Sequence, residues 1–149
     1  MIILNLKRLC HGLACGVLVS AALGCGGGAT DTPELGEVSG VVTLDGAALE
    51  GATITFQPEE GRASIGVSDA SGAYTLVYTD ELNGAKVGRH TVTITTARDR
   101  SGGEGDQPLV ESRKELLPAI YHSATNLQEE VKAGSQEINF TLQSTAPSA

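Results

Sequence analysis

The stretch Val38-Ser39-Gly40-Val41-Val42-Thr43-Leu44-Asp45-Gly46-Ala47-Ala48-Leu49-Glu50-Gly51-Ala52-Thr53-Ile54-Thr55-Phe56 holds two runs of period-two alternation with a turn between them. Val38, Gly40, Val42 and Leu44 share one side of the first run. Ala52, Ile54 and Phe56 share one side of the second, opposite Thr53, Thr55 and Gln57. Successive side chains of a strand point to opposite faces, so each run reads as a half-buried strand. Asp45-Gly46 is a strong hairpin signal, because tight hairpin turns need positive φ at their centre. Pro58, which has no N–H to donate, stops the second strand.

The same pattern extends toward the C-terminus. Ile65 and Val67 form a shorter piece that runs into the polar turn Asp69-Ala70-Ser71-Gly72. Tyr74, Leu76 and Tyr78 alternate with Thr75, Val77 and Thr79, and His90, Val92 and Ile94 alternate with Thr91, Thr93 and Thr95. Leu127 and Val131 flank Glu129, Ala133-Gly134-Ser135 turns the chain, and Ile138, Phe140 and Leu142 close the set. About seven strands with one apolar face each, and no sustained helical period, predict an all-β fold, an antiparallel β-sandwich over residues 38–143. Residues 144–149 read as a disordered tail.

Composition agrees with thin packed sheets. Aromatic residues are 3% of the 149, with no Trp, so the core must come from Val, Ile, Leu and Ala. One segment breaks the pattern: Asp99 to Lys114 is charged and Gly-rich around Ser101-Gly102-Gly103-Glu104-Gly105-Asp106. It reads as a long surface loop or a disordered excursion. Leu116-Leu117-Pro118-Ala119-Ile120-Tyr121 behind it is apolar enough to dock back on the sandwich.

The N-terminal residues read as an address. Lys7 and Arg8 precede an apolar run from Leu9 to Leu23, about 15 residues and short of the ~20 that a membrane span needs. This is signal-peptide anatomy over residues 1–24, and it ends in Ala21-Ala22-Leu23-Gly24-Cys25. All three cysteines, Cys10, Cys15 and Cys25, lie in this N-terminal part, so the strand-bearing region can hold neither a disulfide nor a Cys-based metal site. Residues 26–37, rich in Gly, Asp, Pro and Glu, read as a flexible tether that spans roughly 20 Å.

Charge narrows the partners. The formal net charge is −8, and loss of Lys7 and Arg8 with the signal leaves 8 of the 10 basic residues against 18 acidic ones, or −10. Such a chain repels nucleic acid and anionic membrane surfaces, so no nucleic acid is expected as a partner.

Two resemblances follow from these residues. Small residues directly before Cys25 resemble a lipobox, with Ala22 in the customary leucine position and Leu23 one place later. The resemblance implies a lipidated Cys25, an exported protein and membrane attachment facing the periplasm or cell surface. An ordinary secretory signal, leaving Cys25 free, is the alternative. The strand region resembles the carboxypeptidase-regulatory-like, or transthyretin/prealbumin-like, β-sandwich. Val38 to Ile54 looks like its opening, Asp69-Ala70-Ser71-Gly72-Ala73-Tyr74 like its turn feeding an inward aromatic, and Gly88 to Ile94 like its following strand. The layout resembles short bacterial lipoproteins, for which the resemblance implies an envelope location and no established activity. The hydrolase branch of this fold uses histidines, an arginine and a Tyr-Arg-Gly-Ser type C-terminus, and this chain ends Gln143-Ser144-Thr145-Ala146-Pro147-Ser148-Ala149.

Candidate sites are few. His90 falls on the inward parity at a strand start, where capping the sandwich edge outweighs catalysis, and His122 reads as exposed. Two histidines without close carboxylates are a poor metal pattern, so no cofactor and no catalytic residue is assigned. Stacking on sugar faces needs exposed aromatics, and only Tyr121 lies off the core parity. The expected function is a noncatalytic, lipid-anchored structural or protein-interaction module, with envelope proteins as partners. Strand edges and the loop residues Arg98, Arg100, Glu104 and Asp106 would be its contacts, together with Tyr121. The alternative is an envelope protein that binds a small ligand or a polysaccharide.

Overall fold

Tight turns and alternation at the chain's start set the architecture. In the computed structural model, which describes residues 33–145, β1 (Leu35–Leu44) turns through Asp45 and Gly46 into β2 (Ala47–Ala48). Both turn residues have positive φ, 50° and 84°, as a two-residue hairpin requires. Then come β3 (Thr53–Pro58), β4 (Ser64–Val67), β5 (Ala73–Thr75), β6 (Val77–Thr79), β7 (Leu82–Asn83), β8 (Ala85–Lys86) and β9 (Gly88–Thr95). A 3-10 turn at Ala119–Tyr121 precedes β10 (Gln128–Val131), β11 (Gly134–Glu137) and β12 (Phe140–Leu142). The seven segments expected from alternation all contain strands, the Tyr74–Tyr78 one split into β5 and β6, while β2, β7, β8 and β11 are additions to them, β11 lying where a turn was expected.

Two sheets face each other. The first is built on β1, which pairs antiparallel with β8, β5 and β2 along one side. Along its other side run β11 and β12 at one constant register, from Gly36 opposite Gly134 to Leu44 opposite Leu142. That last chain segment lies parallel to β1, which makes the first sheet mixed. The second sheet, ordered β10-β9-β3-β4-β6-β7, is antiparallel throughout. Val38 and Val42 from the first sheet meet Ile54, Phe56, Val92 and Ile94 from the second in a core closed by Phe140. The region is thus an all-β sandwich, with aliphatic residues filling a core that has few rings.

Three departures from the sequence reading have clear causes. β1 begins at Leu35, three residues before the alternation does, because Leu35 pairs with Lys86 and the bare Cα of Gly36 lies against Lys132. β4 faces the other way: Ile65 and Val67 are 48% and 60% exposed, while Ser64, Gly66 and Ser68 point inward. The strand after it explains this. β5 pairs with β1 and β6 with β4, so the chain changes sheets at Leu76 and brings the sheets together there. A Cβ on Gly66 would lie 2.7 Å from the Thr75 carbonyl oxygen and 3.2 Å from the Tyr74 ring, leaving no room for inward apolar side chains. A one-residue change of parity moves every side chain to the opposite face.

The third departure is the segment 97–116. It is an arm with hairpin pairing, in which Arg98 is bridged to Arg113 and Ser101 to Val110. Its tip is closed by the Gly103 amide donating to the Gln107 carbonyl, with Gly102, Gly103 and Gly105 all at positive φ.

Candidate functional site

The two ends of the sandwich differ in what they carry. At one end β1 enters beside β8, and the Val87 amide donates to the Glu34 carbonyl. At the other end β3 begins and β9 finishes, with Thr53 opposite Thr95, and the arm leaves from there.

The arm is fixed at its root by a single carboxylate. Glu115 Oε1 accepts from the amides of Thr96, Leu116 and Leu117, each at 3.0 Å, and from the Thr96 hydroxyl at 2.6 Å. The Thr95 hydroxyl binds its other oxygen. Partial burial alone would push this carboxyl up. The donors from Thr95, Thr96 and Leu117 outweigh it and hold Glu115 well below the usual carboxylate range.

Arg113 supplies the second fixture. Its Nε donates to the Thr96 carbonyl at 2.7 Å, Nη1 to the Glu50 carbonyl at 3.1 Å, and Nη2 to the Gly51 carbonyl. Arg98 lies directly opposite on the arm, its Nε donating to the Glu111 carbonyl at 3.0 Å. Both guanidinium groups reach the turn at Gly51, where φ is 66°.

The residues expected to make contacts are dispersed. Arg98 and Arg100 lie exposed on the arm, and Glu104 and Asp106 at its exposed tip. Tyr121 is not an exposed platform: it is 9% exposed, part of the core, and its hydroxyl accepts from the Gln143 amide at 3.1 Å. The apolar segment Leu116–Tyr121 docks as its composition suggests, and it carries the ring in with it. Cys25 lies outside the described residues.

Neither histidine sits in a reactive setting. His90 is 2% exposed, stacks at 5.8 Å from Phe56, and has its Nδ1 3.0 Å from the Gly88 carbonyl. A carbonyl only accepts, so the proton is on Nδ1, and Nε2 is buried without a partner among the described residues. Burial pulls this imidazole below its ordinary value, the Gly88 bond works against that, and the Lys86 charge adds to it. His122 is half-buried rather than exposed, its Nε2 3.1 Å from the Leu117 carbonyl. Among the described residues no three His, Cys, Asp or Glu side chains converge as a metal would need. Surface depressions are open ones, such as that lined by Val41, Val67, Tyr74 and Thr75.

Arg113 and Glu115, which organise the arm, went unassigned in the sequence reading. Their signal is faint: a Thr-Thr pair ending one alternating run and a Glu nineteen residues later, with nothing to mark the intervening segment as a hairpin. Among known proteins, no family model matches the chain, and no curated protein matches it significantly.

Proposed function

We propose that the chain is a noncatalytic module of the bacterial cell envelope, tethered by lipid on Cys25, in which a transthyretin-like sandwich presents an interaction arm. The observation that carries this reading is the separation of the ends. Chain entry at Glu34 and Leu35, beside Lys86 and Val87, and the arm root after Thr95 lie at opposite ends of β9 (Gly88–Thr95), which rises about 3.3 Å per residue over its length. A sandwich held through its N-terminal tether thus offers its arm on the side remote from the attachment point. The arm exposes Arg98, Arg100, Glu104 and Asp106 together with Leu109 and Val110, a mixed polar and apolar surface of the kind protein partners bury. With Tyr121 in the core, the aromatic argument for a polysaccharide ligand is lost.

Anchoring requires more than one acyl chain, because each buried methylene contributes about 0.8 kcal/mol and a single chain detaches reversibly. Mass spectrometry of the mature N-terminus after expression in a bacterial host tests this part. A diacylated or triacylated Cys25 in the membrane fraction is expected, with Cys25→Ala releasing the protein. An unmodified Met1, or a membrane fraction unaffected by Cys25→Ala, overturns it. For the arm, chemical cross-linking in whole cells should trap a partner that disappears when residues 99–112 are replaced by a short Gly-Ser turn.

A further inference from the structure

We propose that Arg98 and Arg113 form a binding site for a carboxylate at the root of the arm, a site that does not depend on how the chain is anchored. The two residues exchange both backbone hydrogen bonds, Arg98 N–H to the Arg113 carbonyl at 3.0 Å and Arg113 N–H to the Arg98 carbonyl at 2.8 Å. They are therefore a directly opposed cross-strand pair, and like charges in that position destabilise a hairpin. Every hydrogen bond that either guanidinium makes among the described residues goes to a backbone carbonyl, none to a carboxylate. In a chain with 18 acidic residues, this pair of cations has no anionic partner among the described residues. Local rules broken without an internal compensation concentrate where a protein binds something.

The two guanidinium groups converge over Gly51. A methyl group placed on Gly51 would lie 3.4 Å from Arg113 Nη2, 3.5 Å from Arg113 Nη1 and 3.5 Å from Arg98 Nη1. Three nitrogens of the two side chains thus lie around one point above Gly51, and an oxyanion approaching from the solvent side can accept from both arginines. The positive φ of Gly51 favours glycine there and leaves the backbone beside the two guanidinium groups uncovered. Arg113 is held by carbonyls of two separate segments and so is ordered before a ligand arrives. Arg98 is exposed, and its two Nη groups can close on the second oxygen. A carboxylate presents two coplanar oxygens to such a fork. The remaining surface, acidic overall, turns an acidic ligand toward this root rather than elsewhere.

The test is an NMR titration of the full mature chain with a hexaglutamate peptide, alongside hexaglutamine as the uncharged control. Saturable shifts centred on Gly51, Arg98 and Arg113 are expected with hexaglutamate alone, weakening as salt rises. Arg98→Ala should weaken binding at least tenfold, about 1.4 kcal/mol, while leaving amide shifts in the core strands unchanged. Arg98→Gln, which keeps much of the side chain and loses its charge, should weaken binding likewise; if Arg98→Ala disturbs the arm, Arg98→Gln decides. Absence of saturable shifts up to about 10 mM peptide, or unchanged affinity in Arg98→Ala, overturns the site. Displacement of the peptide by a lower concentration of inorganic phosphate overturns the assignment to a carboxylate.

Discussion

Ser68 shows how a polar residue can be part of the core. It is 3% exposed, its hydroxyl donates to the Leu49 carbonyl at 2.5 Å, and it accepts from the Ala52 amide at 2.9 Å. Both partners lie in the turn before β3, so one side chain ties that turn to the end of β4. Ser68→Ala leaves a buried donor and a buried acceptor unpaired, and roughly 2 kcal/mol should be lost, measurable as a lowered urea midpoint with an unchanged slope. His90 has a pH-dependent effect. Its folded-state value lies below the ordinary 6.5, so above that pH the group is neutral in both states and its site costs nothing. As pH falls below 6.5 the unfolded chain takes up the proton first, and stability declines until the folded-state value is passed. Urea midpoints between pH 7 and 5 should fall for the native chain, with the slope reduced in His90→Phe, which keeps the ring beside Phe56. A native midpoint that rises over this range would reverse the sign and reject the argument.

Among the elements, the arm depends most on a few bonds. Its extended part contributes little to the core: Ser101 to Val110 are all exposed, and Leu117 and Tyr121 are buried only after the chain has returned. Glu115 therefore bears much of the root's order, accepting from backbone amides and from two threonine hydroxyls. Glu115→Ala should cost about 2 kcal/mol or more and speed hydrogen exchange of the Thr96, Ala97, Leu116 and Leu117 amides, with β1 protection retained. Since the carboxyl is depressed below 4.5 in the folded chain, its contribution is complete above about that pH and is lost as pH falls through the folded-state value. β4 makes the opposite point. Its apolar side chains face solvent, so Ile65→Thr with Val67→Thr should change stability by less than about 1 kcal/mol. The same double substitution at Ile54 and Val92, both fully buried, should unfold the domain.

At the scale of the whole molecule, the alternating runs carried most of the fold. Seven of them predicted seven strands, and Asp45-Gly46 marked a hairpin whose two residues do take positive φ. These features were legible because alternation and turn chemistry are local: each depends on residues a few positions apart. The inward placement of Ser64, Gly66 and Ser68 was not legible, because apolar residues normally mark the buried side. The reversal comes from the closeness of Tyr74 and Thr75, set by a sheet switch at Leu76. Nor was the parallel run of residues 134–142 beside β1 legible, a pairing of segments 98 residues apart in sequence. The burial of Tyr121 escaped for a similar reason, since a single ring in a short apolar segment has no period to betray its side. Of the candidate site, the sequence showed that Arg98 and Arg100 sit in a charged, Gly-rich excursion. That Arg98 meets Arg113 over Gly51 depends on hairpin pairing and on carbonyls from a distant turn. Local chemistry thus wrote which segments are strands and where they turn, while long-range packing chose the faces, partners and register that bring two arginines to one glycine.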